Sequence, residues 1–263
     1  VADPSTSSQY IFFRHCRFTN VSTNGNAMLV RGLAENNERN VVFDRCRFEG
    51  GFTGVQWSMD YSQLTLEVRN SVFTGQRSRC IQLMNAGTGD PEVYIEDNEI
   101  TGPVLNGSTA VEVAHNSNLL QICRNRVVAN APSGVGMSIA CDGADPVWTV
   151  VRNNMIIGAS TAKGLVVTGT ANGLGIINNS ISVAFGRGLE LTATGTGNLL
   201  LGNAVRATTY PLYHTGGMSF DQADHNVLHA SGASWVLWGG AAYTELGALQ
   251  CATGEHLHSV QAD

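Results

Sequence analysis

Charge is scarce in this chain, and lysine is nearly absent. Charged residues make up 14% of the 263 residues, and Lys163 is the single lysine among 15 basic side chains. The formal net charge is −6. Because nucleic acid binding depends on a dense basic face, we expect no nucleic acid partner. The sequence also lacks an apolar run of about 18 residues, the length that a spanning helix needs, so we expect no membrane span.

Patterns for metal binding and for helices are missing as well. The six cysteines contain no CxxC pair, which argues against a zinc site. His214, His225 and His229 lie near one end of the chain, but no ligand spacing supports a metal there, and we predict none. The Gly-rich calcium repeat is absent too, so calcium has no motif support and we expect no cofactor. Without amphipathic helices between strand-like runs, barrel and doubly wound α/β folds are excluded.

What the sequence does contain is a short step that recurs nine times. An Asn, Cys or Ser at a bend is followed two residues later by an apolar residue, and consecutive steps lie 23 to 30 residues apart. A period near 25 that tolerates insertions indicates a solenoid with one coil per repeat. The nine bend residues are Cys16, Cys46, Ser71, Asn98, Asn125, Asn154, Asn179, Asn203 and Asn226.

Each repeat also carries two strand-like runs in which apolar residues alternate, separated by turn sequences. We therefore predict an all-β fold, a single-stranded right-handed parallel β-helix of about nine coils. The coils cover about residues 10–230. We treat residues 1–263 as a single domain, because each coil needs its neighbours to bury its faces.

Residues 231–263 break the repeat, and we interpret them as a closing segment. Thr244 is a candidate N-cap for a short helix at 245–252, which Gly254 would end. Three aromatic residues are expected to pack there, with sugar stacking as the alternative. They are Trp235, Trp238 and Tyr243.

The repeat register predicts stacked columns of side chains. The bend residues from Asn98 to Asn226 would form a polar ladder, with Cys and Ser in its place in the first three coils. Cys16 and Cys46 would stack in the core as small hydrophobic residues, although an even count also permits disulfides. The residues two places before each bend alternate in charge sign at first, which is typical of a solvated structural face. They begin Arg14, Asp44, Arg69 and Glu96.

The first strand of each repeat presents a second outward column, which is the natural groove for a ligand. Neighbouring coils would bring Glu112 and Asp142 within about 5–10 Å, the separation that glycoside hydrolysis requires, with His115 as acid or base. Those three residues are the candidate catalytic set. An ordinary solvated face with turn-forming Asp residues is the alternative. The candidate binding residues are Arg31, Gln56, Asp60, Gln82, Asn85, Ser138 and Glu190.

The chain resembles the right-handed parallel β-helix repeat superfamily (pectate-lyase-like) over residues 10–228. The resemblance is carried by the Asn-x-Ile steps and by two matching runs, Gly164-Leu165-Val166-Val167 and Gly188-Leu189-Glu190-Leu191. It implies a bacterial protein, secreted or on the cell surface, with polysaccharide as partner and further domains of a longer chain as neighbours. Either a carbohydrate-active enzyme (lyase, hydrolase or epimerase) or a non-catalytic glycan-binding, adhesin or spacer module fits it. The motif blocks of polygalacturonase-like enzymes do not occur here.

Overall fold

The computed structural model describes residues 9–21, 24–32, 39–59, 64–85, 92–115, 119–142, 148–158, 163–232 and 235–262. Within these ranges the chain forms 29 strands and one helix, α1 (Leu246–Thr253). The strands are β1 (Gln9–Arg14), β2 (Arg17–Asn20), β3 (Met28–Gly32), β4 (Arg39–Asp44), β5 (Arg47–Gly50), β6 (Thr53–Met59), β7 (Leu64–Arg69), β8 (Val72–Thr74), β9 (Arg79–Asn85), β10 (Glu92–Glu96), β11 (Glu99–Thr101), β12 (Thr109–His115), β13 (Leu119–Cys123), β14 (Arg126–Ala129), β15 (Val135–Asp142), β16 (Trp148–Arg152), β17 (Met155–Gly158), β18 (Lys163–Thr170), β19 (Gly175–Ile177), β20 (Ser180–Val183), β21 (Arg187–Leu191), β22 (Gly195–Leu201), β23 (Ala204–Ala207), β24 (Tyr210–His214), β25 (Met218–Asp224), β26 (Val227–Ala230), β27 (Val236–Trp238), β28 (Ala241–Tyr243) and β29 (Val260–Gln261).

These strands form three sheets that surround one core. The first sheet runs from β1 through every third strand to β25, the second from β2 to β26 and on to β29, and the third from β3 to β27 and β28. Each strand pairs in parallel with the strand three places along the chain, and β28 is the exception because it pairs antiparallel with β27. Three consecutive strands therefore make one coil. The all-β parallel solenoid that the repeat predicts is confirmed.

The number of fully stacked turns is smaller than the repeat predicts. Nine successive sets of three strands can be followed, but the first and last sets have a neighbouring coil on one side only. Between them, β4 to β24 form seven coils that are bonded to a neighbour on both sides in all three sheets. The described solenoid thus has about seven turns rather than nine, because counting bend residues also counts the two open ends.

The core is a stack of apolar side chains from successive coils. Phe48 and Phe73 are fully buried, and their rings stack with centroids 4.6 Å apart. Phe18 lies on the other side of Phe48 at 4.9 Å. Burying one such side chain contributes roughly 1.5–3 kcal/mol. From Phe48 onward, the apolar residue of every step is buried, as the sequence predicts: Phe48, Phe73, Ile100, Val127, Ile156, Ile181, Val205 and Leu228.

Cys16 and Cys46 belong to the same core stacking rather than to a disulfide. All six thiols are free. Cys46 is buried in the core, and Cys16 packs against that core from the previous coil. The interpretation of these two as small core residues is confirmed.

Each coil turns at its bend through a residue with a left-handed backbone. These residues have φ between 51° and 57°, and Gly202 with φ 66° takes the same place in its coil. The left-handed conformation is costly for most side chains, so packing on both sides must hold it. The residues are His15, Arg45, Asn70, Asp97, Arg124, Asn153, Asn178 and His225.

The residue after each left-handed position forms the predicted ladder. The Nδ2 atom of Asn125 donates to Asn154 Oδ1 at 3.0 Å and to the Ile95 carbonyl at 2.7 Å. The same Asn154 Oδ1 accepts the backbone N–H of Asn125 at 2.9 Å. This pattern repeats from Asn98 to Asn203, which leaves each buried amide with partners in both neighbouring coils.

The ladder extends further than the asparagines. At the N-terminal side, Ser71 donates its backbone N–H to Asn98 Oδ1 at 2.9 Å, and Cys46 donates its backbone N–H to Ser71 Oγ at 3.0 Å. At the C-terminal side, Asn226 donates its backbone N–H to Ser259 Oγ at 2.9 Å. The closing segment therefore supplies the last rung, which the repeat does not reveal.

The column of alternating charge before the bends has the predicted register. Arg14, Asp44, Arg69 and Glu96 are consecutive partners, and the Arg14 Nε and Arg69 Nε atoms lie 3.1 and 3.7 Å from Asp44 carboxylate oxygens. The interpretation as a solvated face is wrong for Asp44, which is 5% exposed. Burial acts to raise the pKa of Asp44, but the hydrogen bond from Asn70 and the surrounding arginines lower it below its usual value.

The closing segment contains the predicted helix, but its N-cap differs. Helix α1 begins after Glu245, whose side chain makes no cap hydrogen bond, so the prediction of Thr244 as cap is wrong. The Leu246 N–H instead donates to Gln261 Oε1 at 3.1 Å. Gly254 ends the helix in the left-handed region, as predicted. In the described parts of the chain, no helix is long and apolar enough to cross a membrane.

The aromatic residues of the closing segment pack inward. Trp235 and Trp238 are 9% and 7% exposed, and Tyr243 packs against the core. Trp238 lies against His214 with ring centroids 4.5 Å apart. These contacts fit the predicted packing at the open end of the solenoid rather than an exposed surface for sugar stacking.

Replacing one ladder residue should destabilise the whole rod. Asn154→Ala removes the partner of the Asn125 amide and leaves the Ile122 carbonyl without the Asn154 donor. We expect the free energy of unfolding to fall by about 3 kcal/mol or more, because each buried unpaired group costs about 1–3 kcal/mol. Chemical denaturation followed by circular dichroism measures the change.

The matched control is Asn153→Gly, which alters the exposed neighbour while keeping the positive φ. Its effect should stay within about 1 kcal/mol. Equal losses in the two variants would contradict a stabilising role for the ladder.

Candidate functional site

The predicted outward column lies along the third sheet in the expected register. We call it the central column: Leu29, Gln56, Gln82, Glu112, Ser138, Val166, Glu190 and Tyr213. Successive members are about 4.8 Å apart, the spacing of neighbouring strands. Gln82, Val166 and Glu190 are only 8%, 7% and 6% exposed, so the column is less open to solvent than a free sheet face.

Glu112 sits among donors from the preceding coil. Gln82 Nε2 donates to its Oε2 atom at 2.8 Å. The Arg79 guanidinium contacts the same oxygen through Nε and reaches Oε1 through Nη2 at 3.4 Å. Both carboxylate oxygens are therefore occupied by protein donors, which is unlike a general acid that must present its proton to a substrate.

Glu190 is paired in the same way three places further along the column. Lys163 Nζ lies 2.9 Å from its Oε1 atom, and Arg187 Nη1 lies 2.8 Å from Oε2. The Arg187 guanidinium carbon also lies 3.5 Å from the centroid of the Tyr213 ring. Because the two cations meet one carboxylate, this end of the column carries a small excess of positive charge beside an aromatic ring.

Of the remaining candidates in this region, Gln56 and Ser138 have described side chains, whereas Arg31 and Asp60 do not. Gln56 accepts a hydrogen bond from Asn26 Nδ2, and Ser138 is partly exposed beside Glu112. The backbone of Arg31 pairs with Ser58. The side chain of Arg31 lies outside the described atoms, and Asp60 lies outside the described residues.

The register separates Glu112 from the other two candidate catalytic residues. Glu112 is opposite Ser138, whereas Asp142 lies four residues further on, about 13 Å along the strand. This backbone offset is larger than the 5–10 Å expected from the sequence. His115 is paired with Cys141, the residue before Asp142, so the backbones of these two candidates are neighbours at the strand ends. Their side chains, like that of Asn85 at the end of β9, lie outside the described atoms.

A second group of polar residues, which the sequence did not bring together, lies where the closing segment meets the last coil. Asp224 Oδ1 accepts the backbone N–H groups of His225 at 2.8 Å and His258 at 2.7 Å. His258 Nδ1 lies 2.6 Å from Asp224 Oδ2. Burial acts to raise the pKa of Asp224, but these hydrogen bonds outweigh it and hold the pKa at about 2.

Two further histidines are buried beside this group. His214 and His256 lie on Trp238, with ring centroids 4.5 and 4.8 Å from it. Burial lowers the pKa of both, and that of His256 falls to about 4. The sequence had singled out His214, His225 and His229. His229 instead contacts the Ala262 carbonyl through Nδ1 at 3.0 Å and is absent from this group.

Comparison with known protein families, with curated proteins and with solved structures gives no match to this chain. The parallel solenoid is consistent with the β-helix repeat fold. The closer pectate-lyase-like affiliation stays a prediction from the sequence.

Removing the charge of Glu190 should lower the free energy of unfolding. Glu190→Ala leaves Lys163 and Arg187 facing each other without their common partner, whose side chain is 8% exposed. We expect the free energy of unfolding to fall by about 2 kcal/mol, a value between those for exposed and for buried ion pairs. Thermal and chemical unfolding measure it.

The matched control is Glu99→Ala in the second sheet. Its pair with Arg126 is at least half exposed on both sides, so the loss should stay below about 1 kcal/mol. If Glu190→Ala is as mild as this control, the paired carboxylate does not stabilise the column.

Proposed function

We propose that the chain is a non-catalytic polysaccharide-binding protein that uses the central column of the third sheet as its binding face. The observation that carries this proposal is the pairing of both column carboxylates, Glu112 and Glu190, with cations and an amide. Such pairing fixes the side chains that flank a ligand, and preorganised polar groups bind at a lower entropic cost.

The spacing of the column supports an extended ligand. Column positions recur at about 4.8 Å along one line, and they carry the amides of Gln56 and Gln82 and the hydroxyl of Ser138, with guanidinium groups on the two carboxylates. A linear chain of hydroxylated rings can meet such a line with the same kinds of hydrogen bond at each step. At one end, Tyr213 under Arg187 offers an aromatic ring with a polar edge, which suits a sugar ring.

The pairing of the carboxylates also argues against bond cleavage by this column. Glycoside hydrolysis needs one carboxylic acid and a second carboxylate about 5–9.5 Å apart, both directed at the scissile bond. Among the described side chains of the column, Glu112 and Glu190 are occupied by protein donors and lie three coils apart. The proposal involves no cofactor at this face, and it assigns the protein to the outside of a bacterial cell.

The binding face can be tested with a panel of acidic and neutral polysaccharides. We expect Gln82→Ala and Tyr213→Ala each to weaken binding of the best polysaccharide about tenfold, or about 1.4 kcal/mol, because each removes one contact of the column. Affinity electrophoresis and calorimetry measure the change.

Tyr213→Phe keeps the ring and should bind nearly as the unaltered protein does. Arg126→Gln, on the exposed second sheet, is the control for surface changes elsewhere. Absence of binding across the panel, or binding that both column variants leave unchanged, would refute the proposal.

A carbohydrate-active enzyme is the second candidate, and one observation favours it. The backbones of His115 and Asp142 are neighbours at the ends of β12 and β15. A histidine and a carboxylate in such positions are the residue types used for general acid and base catalysis. In that case the catalytic pair would lie at the edge of the sheet and not in the central column.

Incubation with the same polysaccharides decides between the two candidates. We expect no new reducing ends and no unsaturated products, since the proposal is a binding function. Product formation that His115→Ala and Asp142→Asn abolish, while Glu112→Gln retains it, would replace the binding proposal with the enzyme.

A further inference from the structure

Three metal-ligating side chains converge where the closing segment meets the last coil. Asp224 ends β25, His225 is the left-handed residue of the bend that follows, and His258 precedes β29 by two residues. One ligand atom from each lies within 4.8 Å of the others. From this juxtaposition we propose that Asp224, His225 and His258 bind a divalent transition-metal ion of the Zn²⁺ class.

The donor set matches the chemistry of that class. Zn²⁺ binds imidazole nitrogen and carboxylate oxygen at about 2.0–2.2 Å, and sites with three protein ligands leave a fourth position for water. Ligand atoms around such an ion lie about 3–4 Å apart. The three ligand atoms here lie within 4.8 Å of one another, so side-chain rotations can bring them to these separations. Ca²⁺ and Mg²⁺ prefer six or more oxygen ligands and fit the two imidazoles poorly.

The carboxylate is already oriented for this role. Two backbone N–H groups, from His225 and His258, hold Asp224 Oδ1. Oδ2 is directed at His258 Nδ1, 2.6 Å away. A metal ion that bridges the imidazole and the carboxylate would take the place of the hydrogen in this contact. Hydrogen bonds such as those from the two backbone N–H groups to Oδ1, which orient a ligand side chain before the ion binds, are typical of metal sites.

The two imidazoles are also arranged together. The rings of His225 and His258 stack with centroids 5.0 Å apart and an angle of 14° between their planes. His225 is exposed, and the His258 side chain is 67% exposed, so an ion can enter from solvent.

The other end of the rod shows what the same column position does without a metal. Asp44 occupies the position of Asp224 seven coils earlier, and there the partners are Arg14 and Arg69. Guanidinium groups stay protonated and have no lone pair for a metal. At the C-terminal end, imidazoles replace them around the carboxylate, and imidazoles can ligate. The column therefore changes from an ion-pair site to a potential metal site.

An ion at this place would join two parts of the fold. Asp224 belongs to the last coil, and His258 belongs to the closing segment that supplies the Ser259 rung. Because the ion binds the folded state, Zn²⁺ should raise the unfolding temperature as its concentration passes the dissociation constant.

The test is His225→Asn, a change that keeps the bend intact. Asn153 and Asn178 occupy the same left-handed position in other coils, so the variant should fold without metal as the unaltered protein does. Calorimetric titration with Zn²⁺ alone should give one ion per unaltered chain. His225→Asn should lower the affinity about tenfold or more. Asp224→Asn should do the same while its remaining oxygen still accepts backbone N–H groups.

Two controls make the result specific. His15→Asn alters the equivalent bend at the other end, where Arg14 stands in place of the carboxylate, and it should leave Zn²⁺ affinity unchanged. Cys251→Ser removes an exposed thiol that could bind zinc independently. Cobalt(II) in place of zinc should give visible absorption bands that His225→Asn weakens.

Several results would overturn the proposal. They are absence of Zn²⁺ uptake by the unaltered chain, affinity that His225→Asn and Asp224→Asn both leave intact, and binding that disappears in Cys251→Ser. Calcium uptake at the same site with equal affinity would contradict the assignment to the zinc class.

Discussion

From Asn98 onward, each coil of this protein depends on a buried side-chain amide at one bend. The chain reverses direction through a left-handed residue, and the next residue places its amide inside, where Asn154 bonds to the coils before and after it. A slip of one residue between coils would leave these amides without partners, and a buried unpaired amide is costly. The ladder therefore fixes the register of all three sheets, and with it the columns on their outer faces.

This dependence explains why so much of the fold could be predicted. The bend residue and the apolar residue after it recur at nearly constant spacing, so the core stack and the central column follow from counting along the chain. The last rung could not be found in this way. Two residues after Ser259, where every other step has an apolar residue, the chain has Gln261. This side chain accepts the Leu246 N–H of helix α1. A contact between distant parts of the chain has replaced the repeat there.

The candidate site was predicted in its positions but not in its partners. The register of Glu112 and Glu190 in the column is confirmed, but the sequence did not reveal the arginines that bind them. Arg79 is the first residue of β9, three residues before the column residue Gln82, and Arg187 is the first residue of β21, three residues before Glu190. Strict alternation would put residues three apart on opposite faces of a strand, so the sequence did not pair Arg187 with Glu190. The sequence also did not show that Arg79 and Gln82 occupy the Glu112 carboxylate oxygens, and the catalytic role of Glu112 stays a prediction.

A repeat fold holds the backbone constant, so chemistry changes only where a column changes residue type. Along the column before the bends, Asp44 is compensated by guanidinium groups, Cys123 is fully buried, and Asp224 is surrounded by imidazoles. Each of the three positions ends a strand of the first sheet and precedes a left-handed residue, and their partners come from adjacent coils, the adjoining bend or the closing segment. The properties of one residue in such a rod are thus set by its neighbours one coil away. For that reason, a position cannot be assigned a role from its own coil alone, and the ends, where a neighbour is replaced by other structure, differ most from the repeat.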